Sequence, residues 1–433
     1  MEWQKLYEDR TMSAEEAIKL IHSGDRVALA HAVGIPVVIT DALCEHKDNY
    51  ENVEIVQLVP MGNAKFTDPE MEGHFRLNAL FLGPFTRDAV QEGRGDFTPC
   101  CFHEVPNLFD EILPLDVAVI QVTPPDKHGY VSCGVSVDYT LPAAQKAKRV
   151  IAQVNKEMPR THGDTVLHVS EIDSFVEADH PIIELGLPRI GKVERAIGEN
   201  CAKLIKDGDT LQLGIGAIPD AVLLFLKDKK DLGIHSEMVS DGVVKLIESG
   251  VITNAKKNLH PGKTVATFLM GTKDLYDYAD DNQAVVMYPV DYVNDPYVIG
   301  QNNNLVSINS CIQVDLTGQV ASESVGYQQI SGIGGQVDFV RGAKLSKGGR
   351  SIIAIGSTAA QGKISKIVPI LDEGAAVTTS RTDVDYIVTE YGIAHLQGKS
   401  LRDRAKALIQ IAHPDFRKGL IQVYEQRFHC NYN

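Results

Sequence analysis

The sequence predicts an α/β protein of two related domains with mostly parallel sheets. Strand-like apolar runs alternate with helical patterns along the chain, which is typical of parallel sheets covered by helices. Residues 23–36 (SGDRVALAHAVGIP) and 207–219 (DGDTLQLGIGAIP) also read alike, as a Gly-Asp turn, a strand, a glycine-containing loop and Ile-Pro. A second pair, 120–132 and 312–322, shares Ile-Gln-Val followed by a polar turn. Two internal repeats in the same order favour a duplicated domain over chance similarity between ordinary strand–helix units.

The elements of the first half begin with a short helix. Ser13 and Glu16 form a capping box, and apolar residues from Ala14 to Ile21 follow at helical spacing. The turn at Gly24-Asp25 ends this helix and leads into a strand at 27–30. Further strand-like runs lie at 53–59, 117–122 and 150–154.

The second half repeats this order. Apolar residues recur at helical spacing before the turn at 207–209 and a strand at 211–213, and they are Ile197, Cys201, Ala202 and Ile205. Strand-like runs follow at 265–270, 284–287, 351–355 and 386–388, and the stretch 400–428 predicts two helices that break at His413-Pro414. The Pro and Gly residues between 179 and 191 are typical of a linker. We therefore expect one domain at 1–185 and a second at 190–433.

Composition limits the classes of partner. The 433 residues include 42 Lys and Arg against 57 Asp and Glu, a formal net charge of −15. Nucleic acids and anionic membranes bind basic surfaces, so we expect neither as a partner. Seven cysteines, with irregular spacing and no CxxC, fit neither a disulfide framework nor a zinc ribbon. The polar N-terminus is not a signal peptide, and no apolar run approaches the ~20 residues of a transmembrane helix, so we expect a cytoplasmic protein.

Two glycine-rich segments are candidates for contact with a ligand. The segment 214–219 (GIGAIP) follows a strand and opens a helix, with Pro219 suited to the first helical position. A helix N-terminus offers N–H groups to an anion, but such turns are also common in α/β proteins without a ligand. The segment 331–338 (SGIGGQVD) has three glycines in four positions. It predicts either a backbone with exposed donors or a tight turn with positive φ.

A third candidate is Glu237, which follows a short strand in the segment 235–238 (HSEM). Its carboxylate suits a nucleophile, a base or a solvated cap residue, and the pattern alone favours the solvated residue. His103, Glu104 and His168 lack metal-ligand spacing, and we expect no metal site. Neither glycine segment has the Lys-Ser/Thr of a P-loop, and no GxSxG occurs, so neither ATP hydrolysis nor the usual serine hydrolase elbow is indicated.

Four motifs in order resemble the acetyl-CoA hydrolase/transferase family of the class I coenzyme A transferases. They are QLGIGAIP at 212–219, GIHSEM at 233–238, SGIGGQVDF at 331–339 and TEYGIA at 389–394. The resemblance extends from Trp3 and YEDR at 7–10 through FLMGTK at 268–273 to the last helices. It therefore covers the whole chain.

The resemblance implies which residues form the active site. It places that site between two related, open, Rossmann-like α/β domains and identifies Glu237 as the nucleophile. The backbone N–H groups of Ile215 and Gly335 would face the thioester oxygen, so a methyl group added at Gly335 would obstruct the backbone or conflict with its φ. Asn294 would contact the glutamyl carbonyl, and Glu390 would be a second active-site carboxylate. Contacts with coenzyme A are implied for Gly214, Ile215, Gly216, Ala217, Ile218, Ile312 and Gly335.

The resemblance further implies a CoA-transferase that moves CoA between acetyl-CoA, or another short acyl-CoA, and a short-chain carboxylate such as 4-hydroxybutyrate. The reaction would be ping-pong through a glutamyl-CoA thioester. Coenzyme A is then a substrate, and no tightly bound cofactor or metal is expected. A homodimer or homotetramer is implied as well. Alternatives stay open: butyrate or propionate as the acid, hydrolysis of the acyl-CoA on the same scaffold, and a non-catalytic binding or regulatory protein.

Overall fold

The computed structural model describes residues 2–432. Its α-helices are α1 (Glu2–Arg10), α2 (Ala14–Ala17), α3 (Val37–Glu45), α4 (Arg87–Gln91), α5 (Val105–Glu111), α6 (Thr140–Lys146), α7 (Lys192–Ala202), α8 (Ala217–Leu224), α9 (Asp241–Glu248), α10 (Lys273–Ala279), α11 (Val290–Val293), α12 (Pro296–Gly300), α13 (Gln336–Leu345), α14 (Leu401–Ile411) and α15 (Pro414–Phe428). Short 3₁₀ helices lie at Ile18–Leu20, Lys47–Asn49, Lys65–Thr67, Pro69–Met71, Phe102–Glu104 and Val169–Glu171.

The strands up to residue 177 are β1 (Arg26–Leu29), β2 (Val53–Gln57), β3 (Phe75–Ala79), β4 (Gly95–Phe97), β5 (Val117–Val122), β6 (Tyr130–Ser132), β7 (Arg149–Val154), β8 (His162–Gly163), β9 (Val166–His168) and β10 (Ser174–Glu177). The later strands are β11 (Thr210–Leu213), β12 (Gly233–Ile234), β13 (Met238–Val239), β14 (Thr264–Ala266), β15 (Phe268–Leu269), β16 (Val285–Met287), β17 (Leu305–Ser310), β18 (Gln313–Asp315), β19 (Val320–Ala321), β20 (Ser324–Val325), β21 (Gln328–Gln329), β22 (Arg350–Ala354), β23 (Thr358–Ala359), β24 (Ile364–Ser365), β25 (Ile367–Val368), β26 (Tyr386–Thr389) and β27 (Gly392–His395).

The chain forms two compact units. The first comprises the chain up to Gly186 together with Val239–Asp241 and Val265–Val293. The second comprises Leu187–Met238, Gly242–Thr264 and the chain from Asn294 onward. The segment 178–191, which has a linker composition, contains no helix or strand. The domain bounds 1–185 and 190–433 stay a prediction.

The first unit is built on a seven-stranded sheet in the order β10-β7-β5-β1-β2-β3-β4. All of its neighbouring strands pair in parallel, and Val27 of β1 lies opposite Ile55 on one side and Val117 on the other. The chain adds strands on one side of β1 and then on its other side, so the sheet has its topological switch point beside β1. All six residues of β5 are buried, as in parallel sheets with both faces covered.

The second unit is built on a six-stranded sheet in the order β12-β11-β17-β22-β26-β27. Its pairs are parallel except for the antiparallel pair of β26 and β27. The chain again leaves its first strand, β11, in one direction to β12 and then in the other direction to β17. Ligands of open α/β sheets bind beyond the carboxyl ends of the strands at such a switch point.

These two sheets confirm the predicted fold class. The first internal repeat, 23–36 and 207–219, is confirmed as well. Its strands at 27–30 and 211–213 correspond to β1 and β11, the strand at the switch point of each sheet. Ser13 caps α2, accepting a hydrogen bond from the Glu16 N–H at 3.3 Å, and Glu16 accepts one from the Ser13 N–H at 3.2 Å. The break at His413-Pro414 separates α14 from α15, as predicted.

The second internal repeat, 120–132 and 312–322, does not correspond to equivalent strands in the two units. Residues 120–122 end β5, a strand of the seven-stranded sheet, whereas β18 at 313–315 belongs to a separate three-stranded sheet with β19 and β25. The run at 265–270 is also divided, into β14 and β15, instead of forming one strand. Tertiary pairing, which the local pattern does not contain, decides both outcomes. Among residues 2–432, no helix is long and apolar enough to cross a membrane.

Candidate active site

The predicted site residues of the second unit lie at the carboxyl edge of its sheet. Gly214 follows β11, Glu237 comes three residues after β12, and Glu390 follows β26 directly. The carboxyl ends of these strands meet at one edge because the strands pair in parallel. The fold therefore gathers residues that are far apart in the sequence at the edge where ligands bind in such sheets.

Glu237, Asn294 and Gly335 form one cluster. The Glu237 side chain is half-buried, and Asn294 is 0% exposed. The Asn294 amide Nδ2 donates a hydrogen bond of 2.8 Å to the Glu237 Oε2. Gly335 is the N-cap of α13, and a β-carbon built on it would overlap the same Oε2 and Nδ2 atoms. The Glu237 carboxylate thus lies beside the N-terminus of a ten-residue helix, whose partial positive charge favours an anion.

The glycines of the segment 331–338 serve two different purposes. Gly334 has a φ of 55°, which is the left-handed conformation of a tight turn. Gly335 has a φ of −92°, which any residue adopts, so the expected conflict of a side chain with its φ is wrong. Glycine is required at 335 because Glu237 and Asn294 occupy the space of a β-carbon.

Hydrogen bonds to Ser322 hold this segment at both ends. The Ser331 hydroxyl donates to the Ser322 carbonyl oxygen at 3.2 Å. Gln336, the first residue of α13, donates from its Nε2 to the Ser322 Oγ at 2.9 Å. These two hydrogen bonds therefore fix the position of the backbone beside Glu237.

The segment 214–218 joins β11 to α8 through Gly216, the N-cap of α8, with a φ of 111°. No heavy atom lies within 4 Å of a β-carbon built on Gly216, so the backbone angle alone requires glycine there. Ile215 is 51% exposed, and its side chain points away from the core. Since α8 begins at Ala217, Pro219 is the third helical residue, and its predicted place at the first position is wrong.

Glu390 is held by Ser357, a residue that the sequence analysis missed. Both follow neighbouring parallel strands, β22 and β26. The Ser357 N–H donates to the Glu390 Oε2 at 2.9 Å, and the Ser357 hydroxyl donates to the Oε1 at 2.6 Å. These two donors fix the orientation of the Glu390 carboxylate. A serine shortly after a strand is too common a pattern to have indicated this role.

Ile312 lies immediately before β18 and is half-buried. Its backbone N–H donates to the Ala321 carbonyl oxygen at 2.8 Å. A contact between Ile312 and coenzyme A stays a prediction, and its N–H already has a partner within the protein.

Lys257 is a second residue that the sequence analysis missed. It is only 5% exposed, and its Nζ donates to the carbonyl oxygens of Ile234 at 2.6 Å and Lys263 at 2.7 Å. Burial lowers the pKa of Lys257 to about 7. Ile234 is the last residue of β12, three positions before Glu237, so this lysine supports the strand that leads to the cluster.

Comparisons with known proteins identify the family. Residues 1–185 match the acetyl-CoA hydrolase/transferase N-terminal domain, and residues 271–424 match the acetyl-CoA hydrolase/transferase C-terminal domain. The chain belongs to the acetyl-CoA hydrolase/transferase family.

Relatives in this family share nearly the full length of the chain. It is 64% identical, over 99% of this chain and 100% of the relative, to the 4-hydroxybutyrate coenzyme A transferase of Clostridium kluyveri. It is 48% identical to the succinyl-CoA:cyclohexane-1-carboxylate CoA transferase of Geobacter metallireducens, over 97% of this chain and 96% of the relative. The crystal structure of a 4-hydroxybutyrate CoA-transferase from Porphyromonas gingivalis matches 98% of this chain and 100% of that chain with a TM-score of 0.86 and 47% identity.

These similarities confirm the resemblance and the predicted enzyme class, a CoA-transferase.

Proposed function

We propose that this CoA-transferase exchanges CoA between acetyl-CoA, or another short acyl-CoA, and 4-hydroxybutyrate, through a thioester between Glu237 and CoA. The observation that carries the proposal is the cluster of Glu237, Asn294 and Gly335 at the carboxyl edge of the second sheet. The identity of 64% to a 4-hydroxybutyrate CoA-transferase supports the choice of acid.

In the first step, a Glu237 oxygen attacks the thioester carbonyl carbon of the acyl-CoA. The tetrahedral oxyanion collapses, the carbon–sulfur bond breaks, and an acyl-glutamyl anhydride and a CoA thiolate result. The backbone N–H groups of Ile215 and Gly335 would donate to the oxyanion. Loss of one such donor typically costs about 3 kcal/mol of transition-state stabilisation.

In the second step, the CoA thiolate attacks the Glu237 carbonyl carbon, and the acid leaves as a carboxylate. The products are the free acid and the Glu237–CoA thioester. The Asn294 Nδ2, which already donates to the Glu237 Oε2, would remain on this oxygen while it becomes the carbonyl oxygen. The incoming acid then reverses both steps with its own acyl group. Since one thioester replaces another, the exchange needs no ATP.

Binding of the remote parts of CoA would help to drive acylation. The net charge of −15 repels the CoA phosphates at long range, so local groups must bind them. The segment 214–218 supports such contact, because Gly214 and Gly216 carry no side chains and α8 begins beside them. We also propose that the protein is cytoplasmic and has no tightly bound cofactor or metal, and that it forms the homodimer or homotetramer that the resemblance implies.

The test of this mechanism is a pair of substitutions at Glu237. We expect Glu237→Ala and Glu237→Gln to lower transfer by at least ~1,000-fold, because neither can supply the anionic nucleophile. With acetyl-CoA alone, the wild-type enzyme should form a Glu237–CoA adduct that mass spectrometry detects and that borohydride reduces and inactivates. Glu248→Gln is the matched control, since Glu248 is an exposed glutamate at the end of α9.

Substantial transfer by a Glu237→Gln enzyme free of deamidated protein would contradict the covalent mechanism and favour direct attack by the acid. Release of free thiol from acetyl-CoA separates the transferase from a hydrolase on the same scaffold. A transferase should produce little thiol without an acid, whereas a hydrolase produces it at full rate because water reaches the glutamyl intermediate. A non-catalytic protein would show neither reaction.

A further inference from the structure

The hydrogen-bond ladder between β11 and β12 continues beyond the last strand pair through a side chain. The pairs Thr210–Gly233 and Leu211–Ile234 form the ladder, and the His235 N–H then donates to the Leu211 carbonyl oxygen at 3.1 Å. In a parallel sheet, the N–H and C=O groups of every second residue point to the same neighbour. The next residue of β11 that faces β12 is therefore Leu213.

Ser236 binds both backbone groups of Leu213. Its hydroxyl donates to the Leu213 carbonyl oxygen at 3.2 Å and accepts from the Leu213 N–H at 3.3 Å. Ser236 is 1% exposed, so water does not compete for these groups. The side chain occupies the place that the backbone of a longer strand would take.

This hydroxyl joins the two segments that carry the proposed chemistry. Ser236 directly precedes Glu237, and Leu213 directly precedes Gly214 and Ile215. The other edge of β12 is held separately, because the Asn254 Oδ1 accepts from the Ile234 N–H at 2.8 Å and Lys257 donates to the Ile234 carbonyl oxygen. Among these contacts, the one through Ser236 lies closest to Glu237 along the chain.

We propose that Ser236 is a positioning residue, whose hydroxyl sets the distance and orientation between the Glu237 carboxylate and the 214–218 segment. This inference rests on the proposed function, in which Glu237 attacks a thioester whose oxyanion binds the Ile215 N–H. Ser236 touches no reacting atom and acts through the backbone of its two neighbours. A displacement of about 1 Å at a reacting group can cost ~100-fold in rate.

The test compares Ser236→Ala with Ser307→Ala. Ser307 is a fully buried serine of β17, and its hydroxyl has no hydrogen-bond partner among the described residues. Both variants remove one buried hydroxyl, Ser236 just beyond the end of β12 and Ser307 within β17. We expect Ser236→Ala to lower kcat by about 10- to 100-fold while KM for acetyl-CoA changes less than ~3-fold, because the loss falls on the reacting geometry. Ser307→Ala should change neither constant appreciably.

Two further variants keep the test decisive if Ser236→Ala does not fold. Ser236→Thr retains the hydroxyl and should recover most of kcat, and Ser236→Cys retains the shape with a weaker donor and should lie between wild type and alanine. A kcat for folded Ser236→Ala equal to that of the wild type, or a rise in KM alone, would overturn the inference. If Ser236→Ala is unfolded, a Ser236→Cys variant as active as the wild type would also overturn the inference.

The same experiment separates this inference from the proposed function. The borohydride-sensitive Glu237–CoA adduct is followed in a single turnover with wild type and variants. Absence of the adduct in the wild type would contradict the proposed function. An adduct that forms in the wild type and equally fast in Ser236→Ala would overturn only the role of Ser236.

Discussion

The side chains of Glu237 and Asn294 occupy the space that a β-carbon on Gly335 would need. Alanine tolerates a φ of −92°. The substitution Gly335→Ala therefore tests the steric overlap of a β-carbon with Glu237 and Asn294, and not the backbone conformation. The added methyl group has to displace the carboxylate or the amide, and the hydrogen bond between them changes with it. Stability should suffer less than activity, since two side chains can move while the helix that follows stays in place.

We expect Gly335→Ala to reduce turnover by at least ~10-fold, because the displaced Glu237 leaves its productive geometry. Thermal unfolding should show a fold close to that of the wild type. Gly419→Ala is the control, since Gly419 is exposed within α15 and a β-carbon there meets no heavy atom within 4 Å. That control should be active and slightly more stable, as alanine replaces glycine in a helix. Normal turnover in Gly335→Ala would remove this residue from the site.

At the scale of one element, β12 is an edge strand of two residues that depends on side chains for its outer edge. Lys257 donates to the Ile234 carbonyl oxygen there, and burial lowers the pKa of this lysine to about 7. An unfolded lysine titrates near pH 10.4. Between about pH 7 and 10 the unfolded chain thus binds more protons at this site than the folded chain does. The contribution of Lys257 to stability therefore rises with pH across that window.

We expect the melting temperature of the wild type to rise relative to that of Lys257→Met between pH 7 and pH 9. Differential scanning fluorimetry across this range, with the variant subtracted, measures the effect. Lys256→Met is the matched control, because Lys256 is the adjacent and exposed lysine. It should keep the pH profile of the wild type. An unchanged profile in Lys257→Met would show that Lys257 is not the group that titrates.

At the scale of the whole molecule, charge bears on the choice of acid. Succinate is a dianion, and a protein with a net charge of −15 repels it more than it repels a monocarboxylate. A second carboxylate would also need a cationic partner when buried. Arg341 and Lys344, on the helix that follows Gly335, both pair with Asp383. These cations are therefore already engaged within the protein.

We expect 4-hydroxybutyrate, butyrate, propionate and crotonate to accept CoA from acetyl-CoA faster than succinate does. Chromatography of the acyl-CoA products from parallel reactions measures these rates. Succinate is the informative member of the panel, since one relative at 48% identity is named for succinyl-CoA. Succinate as the best acceptor would contradict both the charge argument and the assignment of 4-hydroxybutyrate.

Some residues of the candidate site were predictable from the sequence and others were not. The motif around Glu237 identified this residue through its family resemblance, and the glycine segments were recognised from composition. Gly335 must be glycine because Glu237 and Asn294 occupy the space of a β-carbon, whereas Gly334 must be glycine because its φ is positive. Neither the motif nor the composition distinguished these two reasons, because both residues are glycines in one run. Ser357 and Lys257 went unnoticed, since their roles depend on partners 33 and 23 residues away in the chain.

Local patterns in the sequence were enough to predict the class of fold, the strands at 27–30 and 211–213, the capping box at Ser13 and the helix break at His413-Pro414, and four motifs indicated the family. These are local properties, because the spacing of apolar residues, capping residues and turn residues acts within a few positions. The contacts between side chains that are distant in the sequence are visible only in the folded chain. Glu237 binds Asn294 across 57 positions, and Ser236 binds Leu213 across 23. Such contacts follow from the order in which parallel strands pair, and that order is set by the packing of the whole sheet, beyond the reach of any local pattern.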